Sequence, residues 1–150
     1  MAEVSVTDKV IARIRVSDTR LRRALSGAIW GPVWLTWGDC SFPGEHWDDI
    51  ALDIVIAMSE AILGDPGAID EVRFPDGPFS VTIGPKNGQR IRLVMRDYVK
   101  DEKCADIETD FGKFRQSIRL SGSRILAKCQ EEDWKGGRID YLRDILRRMR

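Results

Sequence analysis

The hydrophobic pattern begins with a two-residue period. In VIARIRVS, Val10, Ala12, Ile14 and Val16 alternate with Ile11, Arg13 and Arg15, which predicts a half-buried strand. DTRLRRALSG, closed by Gly27, predicts a short helical turn. VWLTWGDCSF is rich in aromatic and β-branched residues and bounded by Gly31-Pro32 and Pro43-Gly44, so it reads as a second strand. The period then lengthens. From Glu45 to Leu63 the chain is apolar on nearly every side except a row of Glu45, Asp49, Asp53 and Glu60, which predicts a helix mostly buried against a sheet. Gly64, Asp65, Pro66 and Gly67 stop it.

AIDEVRF and the turn Pro75-Asp76-Gly77-Pro78 lead into FSVTI and RIRLVMRD, joined by GPKNG. The Asn87-Gly88 pair tolerates positive φ, so Phe79 to Asp97 reads as a β-hairpin. Phe79, Val81, Ile83, Ile91, Leu93 and Met95 would face the core, leaving Ser80, Thr82, Arg90, Arg92 and Arg96 in water. DYVKDEKCADIETD reads as a charged link. Phe111, Phe114, Ile118, Leu120, Ile125, Leu126 and Cys129 then follow helical spacing, weakened at Gly112 and at Ser121-Gly122-Ser123. Ile139, Leu142, Ile145, Leu146 and Met149 space a final amphipathic helix. The order strand, strand, helix, three strands, helices predicts a single α+β domain over residues 1–150. Its antiparallel sheet would carry a central hydrophobic helix and C-terminal helices packed on one side.

Composition narrows the class. At 43% apolar and 32% charged, the 150 residues match an ordinary folded domain. No run reaches the roughly 18 apolar residues of a membrane span, and MAEVSVTDKV lacks the blocks of a signal peptide, so a cytoplasmic protein is expected. Cys40, Cys104 and Cys129 are odd in number and widely spaced, which predicts free thiols rather than a disulfide framework or zinc cluster. No cofactor or metal is implied. Twenty-four basic residues balance 24 acidic ones, which argues against a dedicated nucleic-acid binder. The distribution is uneven: Gly44 to Asp76 holds nine acids and one base, whereas the end of the chain from Trp134 is basic.

The lone histidine lies in GEHWDD, with Cys40 upstream. Cys40 and His46, with Asp39, Asp48 or Asp49 to orient the imidazole, supply the residue types of a thiol nucleophile and its base. Residue types are common, however, and thiol sites usually assemble from distant segments. Acids in a first helical turn complement the macrodipole, so Glu45, Asp48 and Asp49 read better as helix-start residues. Arg90, Arg92 and Arg96 lack neighbouring aromatics for stacking bases and read as a solvated face. The terminal RRMR reads as a dipole-complementing helix end. IGPKNG lacks the full P-loop spacing and reads as a hairpin turn. Trp34, Trp37 and Trp47 read as core, with a small-molecule pocket between sheet and helix as the rival.

FPGEHWDDIALDIVIAMSEAI and FPDGPFSVTI, followed by a long helix and a break at Asp133-Trp134, resemble a group of small bacterial proteins over residues 33 to about 146. Proteins of this type resemble the immunity proteins encoded beside bacterial toxins. The resemblance implies an inhibitor that binds another protein and supplies no site residues; the lack of a convergent nucleophile, base or metal set makes it an expected non-enzyme. Charge polarity suggests a basic partner, which the resemblance would make a toxin domain, with Asp49, Asp53, Glu60, Asp70, Glu71 and Asp76 as the contacting acids. The alternatives are a small-molecule-binding module and a small cysteine-dependent hydrolase.

Overall fold

A computed structural model describes residues 10–150; most of the N-terminal stretch read for a leader lies outside them. The architecture is α+β, with two antiparallel sheets and three α-helices among the described residues.

The first sheet is organised on β3 (Ile29–Trp37). β3 pairs with β1 (Arg13–Val16), β2 (Arg22–Arg23), β4 (Cys40–Phe42) and β5 (Asp48–Asp49). Ala12, Ile14 and Val16 are buried, as the alternation predicts. Three expectations fail in this half. The segment read as one strand from Val33 to Phe42 is a hairpin, because Gly38 takes φ 55° and turns β3 back into β4. The DTRLRRALSG segment forms only a 3-10 turn at Asp18–Arg20 before entering β2. The helix expected from Glu45 begins at α1 (Ala51–Leu63), because GEHW is a turn closed by Trp47 N–H donating to the Gly44 carbonyl. His46 takes φ 60° within it, and the next two acids form β5 against Gly31 and Pro32.

The second sheet runs in the order β6 (Asp70–Phe74), β7 (Phe79–Asn87), β8 (Arg90–Asp97), β9 (Glu102–Asp110). Val81 lies opposite Met95 and Ile83 opposite Leu93, with all four buried. Strand β7 outruns FSVTI and reaches Asn87, so the reversal falls at Gly88, φ 62°. Gly84 breaks the register between Ile83 and Lys86. It adopts φ 112°, and a Cβ there would collide with the Ala68 carbonyl, so it is a bulge glycine rather than a turn glycine. The outer face is drier than expected, since Ser80 and Val94 on it are buried. The supposed link after Asp97 is β9, whose charged residues face out while Ala105, Ile107 and Thr109 face in.

α1 packs against β3, β6 and β7 on one side and against α2 (Phe111–Glu131) and α3 (Gly137–Arg148) on the other. That placement explains its nearly all-round apolar surface. One cluster of buried side chains joins both sheets and all three helices. α2 is continuous for 21 residues, and its predicted weak point is a packing site. Asp110 caps it by accepting from the Lys113 N–H. Ser117 Oγ accepts from Ile14 N–H and Ser121 Oγ donates to the Ile14 carbonyl, tying α2 to β1. A Cβ on Gly122 would stand 2.7 Å from Leu146, so the glycine lets α3 approach closely. Helix propensity is lost at Ser121-Gly122, and tertiary contact is gained.

Candidate functional site

The six acids expected to form one surface divide into three environments. Asp49 is fully buried. Its Oδ2 accepts from Trp47 Nε1 at 2.9 Å and from Asp76 N–H at 3.1 Å, while Oδ1 accepts from Ile50 N–H at 2.8 Å. A carboxylate enclosed by three donors is a structural hub and has no face left for a partner. Asp53 and Glu60 lie along α1 but are engaged by α3: Arg138 Nε approaches Asp53 at 3.3 Å, and the Tyr141 hydroxyl donates to Glu60 at 2.6 Å. The row on α1 therefore stitches two helices together.

Asp70, Glu71 and Asp76 are exposed. Asp70 and Glu71 lie on β6, an edge strand of the four-stranded sheet, and Asp76 follows in the turn to β7. Asp65 is exposed in the loop that enters this edge. Arg73 is the one cation on β6, and it pairs with Glu71 at 3.1 Å while its guanidinium lies 4.7 Å from the Tyr98 ring centroid. The result is an acidic rim beside a strand whose outer backbone groups have no partner strand among the described residues.

The Cys40 and His46 reading gains no support from the geometry. Cys40 is exposed, and no hydrogen bond joins it to His46. The imidazole packs edge-on to Trp34, centroids 4.7 Å apart, with Nδ1 3.8 Å from Glu45 Oε1. Asp48, a proposed orienter, is taken by Arg22 in a two-pronged pair at 2.5 and 2.9 Å, which lowers its carboxyl pKa chiefly by hydrogen bonding. No metal-ligating cluster occurs among the described residues.

Trp34, Trp37 and Trp47 do not gather around any of the main clefts among the described residues. Trp34 is buried, and Trp47 packs edge-on to Phe79 while donating to Asp49. A cleft of about 380 Å³ lies elsewhere, between the Ser26–Ala28 turn and the start of α3. Its cations are already engaged: Arg23 donates to the Lys135 carbonyl, Lys135 pairs with Asp133 and Arg138 with Asp53.

The outer face of the second sheet is an ion-pair lattice. Arg92 clamps Asp106 at 2.6 and 2.9 Å, and Lys103 adds a contact at 3.1 Å. The Arg92 hydrogen bonds hold Asp106 down to about 2, well below the ordinary carboxylate value. A depressed carboxylate contributes stability above its unfolded pKa and loses it as pH falls through the folded value. The wild type should therefore lose stability between about pH 4 and pH 2. Asp106→Asn should flatten part of that decline, read as urea midpoints at pH 7 and pH 2; parallel profiles would exclude this carboxylate from acid unfolding.

Sequence reasoning overlooked one surface. Between Phe111 and Gln130, α2 carries Lys113, Arg115, Arg119, Arg124 and Lys128 and no acid, a run visible in the chain itself. Folding places α2 beside Arg13 and Arg15 of β1 and beside the arginines of α3. No helix among the described residues is long and apolar enough to cross a membrane. No family model, curated protein or solved structure matches the chain.

Proposed function

We propose that this chain is a non-enzymatic protein-binding domain that inhibits a basic partner, in the manner of immunity proteins that neutralise bacterial toxins. The observation carrying the reading is the acidic rim of β6, where Asp65, Asp70, Glu71 and Asp76 are exposed around a sheet edge that no strand among the described residues pairs with. Like charges on such an edge discourage self-association and favour a strand or loop bearing lysine and arginine. Main-chain pairing supplies affinity in that mode, and charge supplies selectivity and association rate.

The test is binding to a basic toxin-like protein encoded beside this one. Asp70→Lys with Glu71→Lys should weaken the complex by at least about tenfold and flatten its salt dependence, because rim charges act through long-range attraction. Asp53→Ala should act on stability instead. A complex indifferent to the double reversal would remove β6 from the interface.

A further inference from the structure

We propose that the exposed face of α2, with the cations flanking it, is a docking surface for duplex DNA, entered through the major groove. Two grooves border this helix. On one side a groove of about 100 Å³ is lined by Arg13 and Arg15 of β1 with Lys113 and Arg124 of α2. On the other a groove of about 260 Å³ is lined by Arg119 of α2 with Arg143, Arg147 and Arg150 from α3 and the residues after it. Among the described residues, no acid lines either groove. Asp140 and Asp144 pair with Arg143 and Arg147 along α3, and no acid pairs with Arg119, Arg124 or Arg150 among the described residues.

Between the grooves runs an uncharged ridge, Gln116, Leu120, Ser123 and Ala127, spaced at three and four residues and exposed throughout. A helix carrying an uncharged ridge between two rows of guanidinium and ammonium groups is complementary to a major groove bordered by two phosphate backbones. The 21 residues of α2 extend about 31 Å, close to one duplex turn. Exposed aromatic rings are missing from the groove linings, so a stacking platform for single strands is not offered. The deep, narrow major groove of A-form RNA would not admit the helix. Zero net charge is no obstacle, because nine of the 24 acids fall between Gly44 and Asp76, outside α2, and residues 111–130 carry none, and phosphates respond to the local field.

Fluorescence anisotropy with a labelled 20-base-pair DNA duplex tests the proposal. Binding should be measurable at 50 mM NaCl and fall steeply with salt, with a log–log slope of about −4 to −6 for five or six phosphate contacts. Arg119→Ala, Arg124→Ala and Arg150→Ala should each reduce that slope by about one, and Arg73→Ala should not. Leu120→Glu should abolish binding while leaving thermal unfolding unchanged, since Leu120 is 54% exposed. Duplex RNA should bind at least about tenfold more weakly. The proposal is overturned if DNA is not bound at 50 mM NaCl, if Leu120→Glu binds normally, or if duplex RNA or polyglutamate competes as well as duplex DNA does.

Discussion

Asp49→Ala should lower the unfolding free energy by about 3–5 kcal/mol, a large fraction of the total for a domain of this size. Three donors lose their acceptor at once: Trp47 Nε1, Ile50 N–H and Asp76 N–H. These bonds connect β5, the start of α1 and the turn between β6 and β7, so both sheets loosen around one vacancy. A buried donor left unsatisfied costs roughly 1–3 kcal/mol, and each of these partly buried donors, Asp76 N–H least of all, contributes part of that. Asp49→Asn should recover part of the loss, because one amide oxygen can serve the Trp47 and Asp76 donors while its NH2 group opposes Ile50 N–H. Urea unfolding of the three proteins decides the matter. A change below about 1 kcal/mol for alanine, together with weaker partner binding, would return Asp49 to the interface.

The fate of Asp49 shows what periodicity conveys and what it omits. An acid aligned with Asp53 and Glu60 looks like part of a solvated helical row. The left-handed turn at His46 delays the helix until Ala51, and Asp49 turns inward to accept from Asp76 N–H, 27 residues away. Asp53 and Glu60 do lie on α1, but side chains of α3 engage them, and helix pairing across some 80 residues has no local signature. The strand β9 was obscured for a related reason. As an edge strand it carries charges outward and only Ala105, Ile107 and Thr109 inward, a weak apolar alternation.

Where one face was clearly apolar, the chain was readable. β1, the β7–β8 hairpin and α3 lie close to where their patterns put them. The serine and glycine residues of α2 misled because propensity measures the helix alone, whereas Ser117, Ser121 and Gly122 serve its contacts with β1 and α3. Of the candidate surfaces, the acids of β6 were legible as charge. The basic face required α2 to be seen beside β1 and α3, since total charge is blind to segregation.

Leu93→Ala should cost about 2–5 kcal/mol, the range for deleting a buried leucine side chain whose surroundings relax only in part. Leu93 is fully buried on β8, opposite Ile83 on one side and Ile107 on the other. Its neighbour in sequence points the other way: Arg92 is exposed and meets Asp106. Arg92→Ala removes a surface ion pair, so its cost should stay within about 1 kcal/mol. The contrast between adjacent positions reports the register of the strand, since a slip of one residue would exchange the two faces. Urea denaturation should give a markedly lower midpoint for Leu93→Ala and one near wild type for Arg92→Ala. The reverse order would require β8 to be turned over, carrying the arginines into the core and breaking the pairing with both β7 and β9.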